Sequence, residues 1–176
     1  LGASNYTYAE AHWSQQLPDW IAAHTRMFEF FGGTVPRIVP DNLKTGVISH
    51  PREGEVVLND AYRELAGHYS AAVLPGRVRH PKDKPSVENT VAHVATWVIA
   101  GLRSETFTTL SGLQARIRER VDAYNTTPFQ KREGSRRSVF ASEERPLLGT
   151  LPAAPFEISQ WVYGRKVGRN GHVVWS

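Results

Sequence analysis

The chain has 176 residues, 40% of them hydrophobic, no cysteine and a formal net charge of +4, which suffices for one sizeable core and a small appendage. Disulfides and thiolate zinc sites are excluded, and the seven histidines lack the paired spacing of an imidazole site, so a metal here would be a hard cation held by oxygen. Apolar runs fall far short of the ~20 residues needed to cross a bilayer, and Leu1-Gly2-Ala3-Ser4 does not open a signal peptide; a soluble intracellular protein that favours polyanionic partners is expected.

In chain order, Ser4 to Trp13 alternates Tyr6 and Tyr8 with Thr7 and predicts a strand. A helix follows, with Pro18 and Asp19 at its start and apolar residues from Trp20 to Phe31 at three- and four-residue steps. Gly32-Gly33 ends it. Val35 to Val39 predicts a short strand stopped by Pro40, and Thr45 to Asn59 is left unassigned. Asp60 can cap a helix whose face is Tyr62, Leu65, Ala66 and Tyr69, and Ala71 to Leu74 predicts a buried strand before Pro75-Gly76.

From Ser86, Val87, Val91, Val94, Val98 and Leu102 form one core-facing helical stripe, with Glu88 about 100° off it. Ser111 and Gln114 then read as a capping box for a helix burying Leu113, Ile117, Val121 and Tyr124, with Pro128 beyond its end. After Phe140 the prolines at 146, 152 and 155 predict a linker, and Ile158 to Trp175 predicts a hairpin turning at Asn170-Gly171. The fold class is therefore α/β: a core over 1–140, a linker over 141–155 and the start of a small β module over 156–176.

Two acids carry the functional reading. Asp41 follows the strand Arg37-Ile38-Val39-Pro40, and ligands of open α/β sheets collect at the carboxyl ends of strands. Turn formation or capping is the alternative role for Asp41, and an Asx turn the favoured one for Asn42. Glu88, in a helical first turn, is also accounted for by the helix dipole. Beside it, however, lies the basic run Arg77-Val78-Arg79-His80-Pro81-Lys82-Asp83-Lys84. Lysines there can grip a phosphodiester while the carboxylate holds a cation against it, and a divalent metal relieves the repulsion between paired acids. A second basic cluster runs from Lys131 through Arg132 to Arg136 and Arg137; a solvated loop is the simpler reading of either cluster. Helix termination accounts for Asn125 and Pro128, and packing for Trp97. No P-loop motif and no G-x-S-x-G nucleophile motif occurs.

Several ordered segments together resemble one family. Leu1-Gly2-Ala3-Ser4-Asn5-Tyr6-Thr7-Tyr8-Ala9-Glu10-Ala11, Phe30-Phe31-Gly32-Gly33, Val39-Pro40-Asp41-Asn42-Leu43-Lys44-Thr45, Pro81-Lys82-Asp83-Lys84 with Val87-Glu88-Asn89, and Pro128-Phe129 with Gly134-Ser135-Arg136-Arg137 resemble IstA-type transposases of the insertion sequence 21 family. The core of these proteins is similar to the retroviral integrase catalytic domain. The resemblance implies a ribonuclease H-like fold and a DDE triad binding two Mg2+ or Mn2+ ions, with Asp41 matching the second aspartate and Glu88 the glutamate. The first aspartate has no counterpart here, so a fragment lacking the first two strands, inactive by itself, is expected.

The resemblance further implies cleavage of transposon ends and strand transfer into target DNA. Arg77, Arg79, Lys82, Lys84, Lys131, Arg132, Arg136 and Arg137 would contact DNA. A helper ATPase, a homo-oligomer and a location in the bacterial cytoplasm with the nucleoid are implied as well. A non-catalytic DNA-binding or assembly module of the same fold is the alternative, and a hydrolytic nuclease of that fold a third reading. An uncovered sheet edge would also favour self-association.

Overall fold

The computed structural model describes residues 1–40, 47–49, 57–74, 91–159, 164 and 169. Helix α1 (Leu17–Phe31) starts with proline in its first turn and closes on Gly32, whose φ of 73° lets its N–H reach the carbonyls of Phe28 and Glu29. Strand β1 (Arg37–Ile38), an antiparallel pair β2 (Val47–Ser49) and β3 (Val57–Leu58), helix α2 (Asp60–His68) and strand β4 (Ala72–Val73) follow. β1 and β4 pair in parallel, Arg37 opposite Ala72 and Ile38 opposite Val73. A parallel pair needs a crossover connection, which α2 supplies. The cap of α2 is Asn59, which accepts a hydrogen bond from the Ala61 N–H at 3.0 Å. Asp60, expected as the cap, is the first helical residue and pairs with Arg63 instead.

Ile21 and Phe28 of α1, Ile38 of β1, and Tyr62, Leu65 and Tyr69 of the α2 segment form the main core. The second core joins α3 (helical residues 91–102) to α4 (Leu110–Thr126): Val98 and Leu102 pack on Ile117 and Val121. The expected α3 stripe holds from Val94 onward, but Val91 is 63% exposed. Residues Ala95–Ala100 are π-helical, and that wider turn offsets the positions before it from those after it. The start of this helix near Ser86 lies outside the described residues. α4 is capped by Thr109, which accepts from the Gly112 N–H, and not by the expected Ser111 and Gln114 box.

Gln114 is engaged elsewhere, and this explains a second departure. Ser4 to Trp13 joins no sheet, although its alternation brings Tyr6 and Tyr8 to the Phe30 ring at 5.3 and 5.2 Å and stacks Tyr6 on Phe140 at 4.4 Å. Its backbone bonds to amide side chains of α4. Asn125 accepts from the Thr7 N–H at 3.0 Å and donates to the Thr7 carbonyl at 2.7 Å, and Gln114 makes the same pair with Ala11 at 3.3 and 2.6 Å. Two amide side chains thus substitute for a neighbouring strand.

Residues 141–155, expected as a linker, carry short turns and pack on the core. Helix α5 (Arg136–Val139) runs into a π-helical turn over Phe140–Glu144 and a 3-10 turn over Arg145–Leu147. Thr34 and Gly149 then exchange two backbone hydrogen bonds of 2.8 and 2.9 Å, and Leu151 and Phe156 pack on the main core. The absence of a helical period reflects these short, irregular turns. A side chain at Gly33 would place its Cβ 2.6 Å from that of Leu148, so the crossing requires glycine there. Nearly all of the hairpin expected over 158–175 lies outside the described residues.

Candidate functional site

Asp41 and Glu88, with Arg77, Arg79, Lys82 and Lys84, lie outside the described residues; what is described is the frame to which they are attached. The Ala72 N–H donates to the Pro36 carbonyl at 2.9 Å and the Leu74 N–H to the Ile38 carbonyl at 2.8 Å, so β1 and β4 run side by side to the same end. The chain leaves that end from Ile38 toward Asp41 and from Leu74 toward Arg77, three residues on in each case by number (41 − 38 and 77 − 74). Glu88 lies three residues before Val91, where the described part of α3 begins.

The second basic cluster is described and divides into different roles. Arg137 forms an ion pair with Asp122 of α4. Arg136 lies over the Tyr124 ring at 3.8 Å and donates from Nη1 to the Tyr124 carbonyl at 3.1 Å, while its buried Nε has no hydrogen-bond partner among the described residues. Both therefore brace the end of α4. Arg132 lies over Phe129 at 4.0 Å and makes a long contact of 3.5 Å to the Ala3 carbonyl, and Lys131 is exposed with no ion-pair partner among the described residues.

Facing this cluster, α3 contributes His93 and Trp97 to a groove of about 530 Å³ floored by Tyr124 and Phe129 and edged by Lys131 and Arg132. Among the described residues no acidic side chain lines it. Trp97, expected to be a packing residue, is 40% exposed, with its ring 6.0 Å from that of Tyr124. The sequence signal was its place one step before Val98, off the buried stripe. Asn125, expected to terminate the helix, is fully buried and is the residue that holds Thr7.

The described titratable groups outside this groove serve packing. Glu10 is held below the usual carboxylate value: burial pushes it up, but hydrogen bonds from Arg26 and Tyr8 and the charge of Arg26 outweigh that. Burial, and then the hydrogen bond to Glu10, pushes the Tyr8 hydroxyl up to about 12. His24, against the Trp20 and Tyr62 rings, is held low by burial, with Nδ1 donating to the Trp20 carbonyl at 2.9 Å. Among the described residues no group of three or more His, Asp or Glu side chains could hold a metal ion, and no helix is long and apolar enough to cross a membrane.

The backbone is similar to the catalytic core domain of BIV integrase, with a TM-score of 0.62 and 11% identity over 82% of this chain and 84% of that one. The fold is thus the ribonuclease H-like fold expected from sequence. No family model matches the chain. A Sinorhizobium fredii protein named as a transposase is 44% identical over 161 residues, covering 92% of this chain and 31% of that protein. The transposase for insertion sequence element IS21 of Pseudomonas aeruginosa is 30% identical over 90% of this chain and 40% of its own length. The chain spans about a third of the length of the curated relatives it matches first, 31%, 34% and 30%. Over the stretch that it shares with them, the chain belongs to the IS21-type transposase family.

Proposed function

We propose that this chain is catalytic-core material of a transposase that cuts transposon ends and joins them to target DNA, with Asp41 and Glu88 as two carboxylate ligands of Mg2+ or Mn2+. The observation that carries the reading is the parallel β1–β4 pair, whose shared carboxyl end leads to Asp41 on one strand and to the basic run on the other. Carboxylate oxygens are hard donors that suit these cations. Bound there, divalent ions would supply Lewis-acid activation of the attacking oxygen and stabilisation of the leaving one. The chain's own part is to hold the cations and to grip the phosphodiester. Arg77, Arg79, Lys82 and Lys84 would contact the DNA backbone, which positions the duplex without reading its sequence.

A metal pair of this kind calls for a further carboxylate, and the chain spans only 31%, 34% and 30% of the curated relatives it matches first, so a longer protein would be the active species and this chain alone inactive. A homo-oligomer on paired DNA ends and a helper ATPase complete the proposal. A strand-transfer assay on insertion-sequence terminal DNA with Mg2+, comparing this chain with one extended by its upstream coding sequence, tests it. The extended protein should join DNA and lose that activity in Asp41→Asn and in Glu88→Gln. Joining by the short chain that survives Glu88→Gln overturns the assignment. DNA binding unaffected by chelator, with no activity in either protein, would instead identify a non-catalytic module.

A further inference from the structure

We propose that the groove between α3 and the turn after α4 binds an unpaired DNA nucleotide, its base stacked on Trp97 and its phosphate held by Lys131 and Arg132. The inference deepens the proposed function and rests on the reading that this chain handles DNA. Three observations carry it. The first is that an indole is left 40% exposed in a groove whose other aromatic rings are covered by guanidinium groups. Nucleobases stack on such faces with little regard to sequence.

The second is electrostatic. Among the described residues the lining contains the cations Lys131, Arg132 and Arg136 and no acid; Arg136 lies over the Tyr124 ring and donates to its carbonyl, which leaves Lys131 and Arg132 for a phosphate. Arg132 lies on Phe129, an arrangement that limits its rotamers and leaves N–H groups at its edge for phosphate oxygens. The third is local backbone geometry. Trp97 sits inside the π-helical stretch Ala95–Ala100, and π-helical turns within α-helices recur at functional sites because they re-aim side chains. The volume of about 530 Å³ falls within the range of small-ligand pockets; it admits a nucleotide but cannot enclose a duplex.

Fluorescence anisotropy with a labelled oligothymidylate of about ten nucleotides, and with a duplex of equal length, tests the proposal in low salt with chelator present, so that Asp41 and Glu88 chemistry plays no part. Trp97→Leu should weaken oligothymidylate binding about tenfold or more and leave duplex binding nearly unchanged, while Trp97→Phe retains most of the affinity. Arg132→Ser, at an exposed position, should weaken oligothymidylate binding and flatten its salt dependence. Equal losses on both DNAs, or none on the single strand, overturn the groove while leaving the transposase reading intact. Failure of the unaltered chain to bind either DNA overturns both.

Discussion

Two of the three hydrophobic cores among the described residues are built to different depths. Around α1 and α2, Phe28, Tyr62 and Leu65 have no exposed surface, and their neighbours are aromatic rings and β1. The cluster between α3 and α4 is aliphatic, built from Val98, Leu102, Ile117 and Val121, and α3 leaves Val91 and Ile99 exposed at 63% and 70%. Apolar surface of that extent on a charge-poor helix is unusual for a helix that serves only to pack. The first core is scaffold, placing the β1 and β4 ends. The second is a shallow support that presents α3 to whatever approaches it.

The sharpest way to break this contrast is to empty each core in turn. Phe28→Ala should cost about 3–5 kcal/mol and Val98→Ala only about 1–2 kcal/mol, from about 0.8 per methyl removed; equilibrium urea unfolding measures both. Equal costs would mean that the α3 core is as deep as the first. Next in size is Asn125→Ala, which leaves the Thr7 N–H and carbonyl without their partner and should cost about 1–3 kcal/mol. Hydrogen exchange should show faster exchange at the Thr7 amide before any change in α2.

The smallest effect is acid sensitivity confined to the first core. Because His24 is held low by burial, the folded state binds fewer protons than the unfolded one. Its contribution is complete above the free-histidine value of about 6.5 and is lost as pH falls through the folded value. Glu10, also held low, adds a second loss below about 4.3, the free-glutamate value. Exchange in α1 and α2 should therefore quicken on acidification before that in α4, and His24→Phe should remove the upper step.

Elements whose sides are set by burial were legible in the sequence. α1, α2, α4 and strand β1 follow directly from periodicity and from Gly32, while β4 forms where expected but is not the buried strand expected, since Ala72 and Leu74 are exposed. Elements whose backbone is satisfied by distant side chains were not. Tyr6 and Tyr8 do alternate as a strand would, but nothing local reveals that Asn125 and Gln114, more than a hundred residues away, replace the neighbouring strand. The cap of α4 failed for the same reason, since Gln114 had been claimed by Ala11. The proposed metal ligands Asp41 and Glu88 lie outside the described residues, and only the parallel pairing of β1 with β4 ahead of Asp41 is described. The exposure of Trp97 was signalled only by its place one step before Val98, off the buried stripe, and the π-helical turn around it is encoded by no pattern of apolar residues.

The clasp between Thr34 and Gly149 has a consequence for biosynthesis. All the secondary structure around the first core, from α1 through β4, has been synthesised by Val73, yet its outer cover arrives with Gly149, Leu151 and Phe156, 115 residues after Thr34 by number (149 − 34). A nascent chain must therefore carry an apolar flank uncovered while the intervening helices emerge from the ribosome, and closing so long a loop is slow. Aggregation during translation, rather than unfolding of the finished product, is where this architecture is most vulnerable.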